Sequence, residues 1–509
     1  MAGKVAFAST ESMRARQAEP TLVKPGEPDE YGTWTFDRLD NWLRTSVHRE
    51  PVLVLSHRAP LEGDGIASNV EPSSGLVNAV EPLIRACSGV WVAHGVDADE
   101  SATARQPYRV RQLSFEDDEQ RRFYYGFANE ALWPMCHRAH IKPVFRPDDF
   151  TTYWNVNGRF ADAVCDEAAG DSPLVFVHDY HFALAPQRIR ERLPQSRIVT
   201  FWHIPWPHWQ TFEICPWGQY LLEGLLGSSI IGFETPLDCR NFIETVERCL
   251  GAHVDRYQDA LTYGGRQVLV RAYPTSVRWP SWWSSCCPSV EICRESIRRQ
   301  LCLPSETKLG VGVDRLDHTK GLEEKFLAIE RLLECYPEFR ERFVFAQLAA
   351  PSRESLPGHR ELREQVMAAR DRVNARFETA SWRPIVMLED RHAQAHVNLF
   401  LRAADVCYVG SLHDGMNLVA KEFVSARDDE RGVLVLSTFA GASRELTDAL
   451  AVNPYDVDDA ASILARALTM SDEEQADRMR RMRSVVAEFS AWRWAAHILS
   501  DAARLRRER

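Results

Sequence analysis

From Pro51 onward the chain alternates between short, unbroken apolar runs and longer stretches with apolar residues at helical spacing. The runs are Val52–Leu55, Leu174–Val177, Ile198–Trp202 and Ile230–Phe233, followed by Leu309–Val313, Phe343–Phe345, Ile385–Leu388, Val406–Val409 and Val433–Leu436. Runs that do not alternate apolar with polar fit strands buried on both faces, hence parallel sheets covered by helices. Between them, Ser73-Ser74-Gly75 precedes Leu76, Val80, Leu83 and Ile84, a cap followed by one apolar helical face. Residues 1–47 are polar with scattered prolines and little periodicity, which predicts a loosely ordered extension. An irregular stretch, Trp279 to Pro288, separates two series of alternating units and places a boundary near residue 275. The pattern therefore predicts two doubly wound α/β domains, over 48–275 and 276–485, and a closing helical segment over 486–509.

Several runs end in polar residues: Ser56-His57-Arg58, His178-Asp179-Tyr180-His181, His203 and Asp314-Arg315. Open α/β sheets bind ligands outside the carboxyl ends of their strands, so these residues collect on one rim of each sheet. Two rims facing each other would form an interdomain cleft.

Composition narrows what such a cleft could hold. A net charge of -11 argues against a broad nucleic-acid footprint, but a small phosphorylated ligand needs only a few placed cations. No apolar run approaches the roughly 18 residues of a membrane span, and the first residues lack the apolar core of a secretory signal. The 12 cysteines form no Cys-x-x-Cys pair, which predicts reduced thiols and a cytoplasmic setting. His392 and His396, and His137 and His140, have helical spacing, yet neither pair has further ligands at zinc spacing; no metal is expected. Neither a phosphate-binding Gly-x-x-x-x-Gly-Lys loop nor a Gly-x-Ser-x-Gly elbow occurs.

Three constellations carry candidate chemistry. In Gly312–Gly321, Arg315 and Lys320 stand five residues apart just after a strand, placed either to stabilise charge growing on a leaving diphosphate or to make ordinary surface ion pairs. In Leu412–Glu422, Gly415 permits close backbone approach and a helix starting near Met416 would present free N–H groups. Asp414 could accept from a sugar hydroxyl, and Glu422 could hold ribose hydroxyls. In Tyr124–Pro134, Tyr124 and Trp133 could stack on a sugar or simply fill a core. Arg58 and Arg353 could each grip a phosphate in a bidentate fork or sit in a structural ion pair.

In this order, the segments HDYH (178–181), FWHIPWP (201–207), GVDRLDHTKGL (312–322), APSR (350–353), DGMNLVAKEF (414–423) and VNPYD (452–456) resemble the trehalose-6-phosphate synthase family. The resemblance covers the chain from about Pro51 to its end. It implies a GT-B architecture of two Rossmann-like domains, and retaining transfer of glucose from a nucleotide sugar, usually UDP-glucose, to glucose 6-phosphate. By position it implies that Arg315 and Lys320 grip the donor diphosphate and that Glu422 holds its ribose. Gly75 and Asp414, Gly415, Met416, Asn417 and Leu418 would line the donor, with His203 against the transferred glucose. Arg58, Tyr124, Trp133 and Arg353 would hold the acceptor, and Asp179 would lie between the two sugars. The implied front-face route has no enzyme nucleophile and needs no divalent metal or other cofactor.

The sequence departs from the family pattern in two places. Ser73-Ser74-Gly75 stands where the family has Gly-Gly, and His413 stands where it has arginine. No phosphatase domain is expected, so dephosphorylation would fall to a separate protein; a homo-oligomer is left open. The rival readings are a glucosylglycerol-phosphate synthase, a cyclitol pseudo-glycosyltransferase, and a catalytically silent regulatory homologue. Arg353 with Arg58 favours a hexose-phosphate acceptor over the first two, and the intact Arg315, Lys320, Asp414, Glu422 and His203 speak against the third.

Overall fold

The computed structural model describes residues 33–47, 51–58, 75–95, 108–138, 140–281 and 288–507. The first sheet contains β1 (Val52–Leu55), β2 (Gly89–His94), β3 (Arg109–Leu113), β4 (Leu174–His178), β5 (Arg197–Trp202) and β6 (Ile230–Phe233). It continues through β7 (His253–Asp255), β8 (Ala260–Tyr263) and β9 (Arg266–Ala272). Its order is β3-β2-β1-β4-β5-β6-β9-β8-β7, parallel as far as β9 and antiparallel beyond. The second sheet contains β10 (Lys308–Arg315), β11 (Phe343–Ala350), β12 (Ile385–Leu388), β13 (Val406–Val409), β14 (Val433–Ser437) and β15 (Leu450–Val452). It is parallel throughout, in the order β12-β11-β10-β13-β14-β15.

Both sheets step outward from their first strand in one direction, then return to its other side. That reversal leaves a crevice at the carboxyl ends, between β1 and β4 in one sheet and between β10 and β13 in the other. Register fixes what meets there: Leu55 pairs with Val177, so Ser56-His57-Arg58 emerge beside His178-Asp179.

Successive residues of each strand feed different cores, as the two-residue period requires. Leu53, Leu55, Val175 and Val177 join one core with Phe127 and Phe160, while Val52, Val54, Leu174 and Phe176 join another. The helix Ala491–Arg507 belongs to the latter: Trp494 is buried there, and its Nε1 donates to Tyr273 O at 3.0 Å. The end of the chain thus returns to the first sheet.

Order begins earlier than the polar sequence predicts. The loosely ordered extension expected through residue 47 gives way at Thr35, whose side chain caps a helix over Phe36–Trp42 by accepting from Arg38 N, and a π-helical turn follows over Leu43–Val47. Leu39 and Leu43 are buried in the same core as Trp494, each contributing about 1.5–3 kcal/mol of burial. Trp34 is buried with them, and Phe36 and Trp42 pack against the same core, a short aromatic-rich stretch without the helical repeat that periodicity detects. Of the predicted helix cap, Ser73 and Ser74 lie outside the described residues, and the helix is described from Gly75 to Cys87.

Candidate active site

At the first rim, the imidazole of His57 packs against two rings that also pack against each other, 5.7 Å apart. Tyr124 lies 4.5 Å away at 11° between planes, and His181 lies 4.8 Å away at 19°. Tyr124 sits on a π-helical stretch, Arg121–Leu132, where Asn129 Nδ2 donates to Tyr124 O at 2.7 Å; Trp133 follows directly. Burial disfavours imidazolium, so the pKa of His57 lies well below its ordinary value and that of His181 falls to about 3. Burial would raise the Tyr124 phenol, yet Arg353, Arg58 and Arg315 outweigh it and lower the pKa. Three guanidinium groups, from the segment after β1, the end of β10 and the segment after β11, thus bear on one hydroxyl.

Arg353 is itself nearly inaccessible. Its guanidinium lies 4.8 Å from the Trp133 ring centroid, and its Nη1 donates to Asp317 Oδ2 at 3.0 Å. Of the two alternatives read from the sequence, the structure shows the ion pair, and it places the same guanidinium over Trp133. The Asp317 carboxyl is desolvated but held well below the usual range by Arg353 and Arg315.

The second rim is built from two loops that interlock. After β10, Asp317 Oδ1 accepts from Thr319 N at 3.2 Å and starts a short 3₁₀ turn, His318–Lys320, which Gly321 ends at φ 62°. A Cβ at Gly321 would stand 2.3 Å from Gly410 O, so only glycine lets this loop approach the end of β13. Leu412 N then donates to Thr319 O at 2.7 Å. Across the junction Lys320 Nζ donates to Asp414 Oδ2 at 2.5 Å, and the same oxygen accepts from Ser411 Oγ at 3.2 Å and Asn417 Nδ2 at 3.1 Å. Burial would raise the Asp414 carboxyl, but Lys320 and Asn417 bring it down to about 2.

The predicted helix begins two residues later than Met416. Asn417, at φ 75°, is its cap, with Oδ1 accepting from Ala420 N at 3.2 Å, and the helix runs Leu418–Ala426. Met416 turns its side chain into the core, so what it offers the cleft is backbone. Glu422 lies half-buried on this helix. Gly75 begins a helix beside the first sheet.

Asp179 and His203 stand between the rims. Asp179 has φ 72° and ψ 171°, a region essentially reserved for glycine, and such strain concentrates at functional sites. Its Oδ1 accepts from His203 N at 3.1 Å, and burial raises its pKa. His203 Nδ1 lies 2.6 Å from Glu234 Oε1. Burial opposes a proton on this ring, but Glu234 outweighs it and the pKa rises. The second sheet closes directly on this histidine, since a Cβ at Gly415 would stand 2.7 Å from His203 O. A second tie is Arg138 N donating to His413 Nδ1 at 3.0 Å, using the residue that departs from the family pattern.

The sequence reading passed over Glu234, Thr275 and Lys421. Glu234 is fully buried and accepts from Thr275 N at 2.8 Å and Thr275 Oγ1 at 2.7 Å. Thr275 O in turn accepts from Lys421 Nζ at 2.6 Å. Glu234 directly follows β6, so the rule that found Asp179 and His203 at strand ends applies to it as well. No group of three or more histidine, cysteine, aspartate or glutamate residues placed to hold a metal ion occurs among the described residues. Nor is any described helix long and apolar enough to cross a membrane.

Comparison with known proteins adds a family to this geometry. The sequence model of glycosyltransferase family 20 matches residues 47–504. A trehalose-6-phosphate synthase of Mycolicibacterium vanbaalenii is 34% identical over 481 residues, covering 89% of this chain and 95% of that one. A bifunctional trehalose-6-phosphate synthase/phosphatase of Thermoproteus tenax is 35% identical over 465 residues; the match covers 88% of this chain but only 63% of the relative. Among solved structures, a UDP-forming α,α-trehalose-phosphate synthase of Burkholderia xenovorans, in complex with glucose 6-phosphate, superposes with a TM-score of 0.80 at 32% identity. That match covers 89% of this chain and all of the other. An Escherichia coli structure described as bound with UDP-2-fluoro glucose also gives 0.80, at 30% identity, over 89% of this chain and 99% of the other.

Proposed function

On the premise that the chain belongs to glycosyltransferase family 20, we propose that its cleft moves glucose from UDP-glucose to glucose 6-phosphate, with retention, giving α,α-trehalose 6-phosphate. One observation carries the acceptor half of this reading: Arg58, Arg315 and Arg353 converge on Tyr124 beside Trp133. Arg353 is buried with Asp317, Arg58 is half-buried and Arg315 is exposed, so the cluster carries more positive than negative charge at an open edge, and a phosphate dianion is a fitting partner for it. Trp133 and Tyr124 supply flat apolar walls for a pyranose ring.

The donor half rests on the second rim. Lys320 and Arg315 face the place where a diphosphate would leave, and the N-terminus of Leu418–Ala426 presents its unpaired N–H groups to the same anion. Lys320 is held by Asp414 at 2.5 Å, so it is in position before substrate binds. Cations already in place stabilise leaving-group charge without reorganising during the reaction. Glu422, on the same helix, would take the ribose hydroxyls.

The reaction then asks mainly for positioning. The acceptor hydroxyl attacks the anomeric carbon on the face the diphosphate leaves, and its proton passes to a departing phosphate oxygen. Asp179 and His203 lie where the two sugars would meet, close to Gly415. In this scheme the fixed cations do the electrostatic work, and no side chain serves as nucleophile.

The test is nucleotide release by purified protein in EDTA, with UDP-, GDP- or ADP-glucose and either glucose 6-phosphate or glycerol 3-phosphate. Release that needs UDP-glucose and glucose 6-phosphate together, with a non-reducing disaccharide phosphate as product, is the expected result. Release with glycerol 3-phosphate alone would overturn the acceptor assignment, and complete loss in EDTA would overturn the electrostatic one.

A further inference from the structure

We propose that Glu234 is a positioning residue for glucosyl transfer: its buried carboxylate fixes the His203 ring and keeps it an imidazolium whose Nε2–H points at the donor sugar. The proposal rests on the glucosyl-transfer reading of the site and deepens it.

The geometry is specific. Glu234 is fully buried, and both of its oxygens accept from Thr275. Oε2 accepts from Thr275 N at 2.8 Å. Oε1 accepts from Thr275 Oγ1 at 2.7 Å and lies 2.6 Å from His203 Nδ1. A carboxylate with no access to water and two donors from one threonine has its position dictated by the backbone. The backbone at Thr275 is held in turn by Lys421, which pairs with Glu445 at 2.5 Å. Lys421 is on the helix that also carries Glu422. A continuous polar chain thus links His203, on the first sheet, to the helix proposed to bind donor.

The charged and titratable neighbours agree on the sign. Asp179 follows β4, Asp414 follows β13 and Glu234 follows β6, and all three favour a proton on His203. His178, whose ring centroid is 5.8 Å away, is the opposing group; its own pKa lies well below the ordinary value, so it is neutral. Burial opposes the charge, yet the His203 pKa is raised overall.

Chemistry gives this pairing a purpose. Glucosyl transfer passes through an oxocarbenium-like state, beside which an isolated cation would be unfavourable. An imidazolium matched to a buried carboxylate is a strong, fixed hydrogen-bond donor with no net charge as a pair. It can therefore orient a sugar hydroxyl without opposing the charge that develops on the ring.

The experiment combines a titration with a pH profile. Histidine ¹³Cε1 resonances of the wild-type protein are followed against pH, the His203 signal being identified by its absence from His203→Asn. The expected result is a midpoint above the ordinary 6.5, moving down by about one unit or more in Glu234→Gln. The alkaline limb of kcat should move with it, while both KM values stay within about threefold and Glu234→Asp partly restores the wild-type profile. A His203 midpoint at or below 6.5 in the wild type overturns the proposal, as does an alkaline limb that Glu234→Gln leaves in place. If Glu234→Gln does not fold, the wild-type titration decides. Because that titration needs no substrate, failure of the transfer assay and failure of this proposal are read separately.

Discussion

At the first rim His57, His181 and Tyr124 hold one another ring on ring, their imidazoles kept neutral by burial. At the second, Lys320, Asp414, Asp317 and Arg353 are held by opposite charge, and the loops bearing them are tied by Asn417 and Thr319. Stacking sets the plane of a ring and leaves the approach to its edge open, which suits a pocket that must accept and release a free sugar. Ion pairs between capped loops fix points of charge in advance, which suits a leaving group whose charge appears only during the reaction. On the proposed reading, most of the catalytic power falls to the second rim, and acceptor selectivity falls to the first rim together with Arg353, which reaches its aromatic rings from the second.

The sharpest way to break that assignment is Lys320→Met. It removes a fixed cation facing the diphosphate and should lower kcat by about 10²–10³-fold, with acceptor KM little changed. Steady-state kinetics decide it, and a loss under tenfold would move the electrostatic burden elsewhere. Next is Arg353→Ala, which should raise the acceptor KM by about tenfold or more while sparing donor KM. Because it leaves Asp317 buried without its ion-pair partner, it should also destabilise the fold by about 3–5 kcal/mol, visible in denaturant melts. An unchanged acceptor KM would reduce Arg353 to a structural ion pair.

The smallest effect separates the rims by pH. His181 and His137 have pKa values lowered from 6.5 to about 3, so the unfolded chain takes up protons that the folded chain refuses. Stability contributed by these histidines is full above pH 6.5 and drains away as pH falls toward 3. Asp414, lowered from 3.8 to about 2, loses its contribution only between those values. Thermal melts should therefore decline from mildly acidic pH, and His181→Gln should flatten the first part of that decline. A melt flat down to pH 4 would show that the imidazoles are not held neutral.

Much of this was legible in the chain. All nine unbroken apolar runs lie within strands, because parallel strands covered on both faces have no polar positions to interrupt them. Of the missed strands, β2 (Gly89–His94) meets this condition and was passed over, β15 (Leu450–Val452) is a three-residue edge, and the others escape it. β3 (Arg109–Leu113) is a half-exposed edge with two arginines, and β7 to β9 form an antiparallel extension with mixed burial. The site was readable where chemistry follows a strand end, as at Asp179, His203 and Arg315. Glu234 stands at such an end too, but a glutamate there is ordinarily solvated, and only the packed structure shows it sealed from water. The strain at Asp179 and the bond between Arg138 and His413 depend on how distant segments meet, which no local pattern encodes.

The backbone at Asp179 sets two selection pressures against each other. At φ 72° and ψ 171° a glycine would rest without penalty, whereas aspartate holds about 1–3 kcal/mol that the rest of the fold must offset. Selection for backbone ease alone would favour glycine here, at the cost of the hydrogen bond that the carboxylate accepts from His203 N. If Asp179 serves transfer as proposed, residue 179 is an indicator of use: its replacement by glycine among descendants of this sequence would be an early trace of a lineage that had ceased to need transfer.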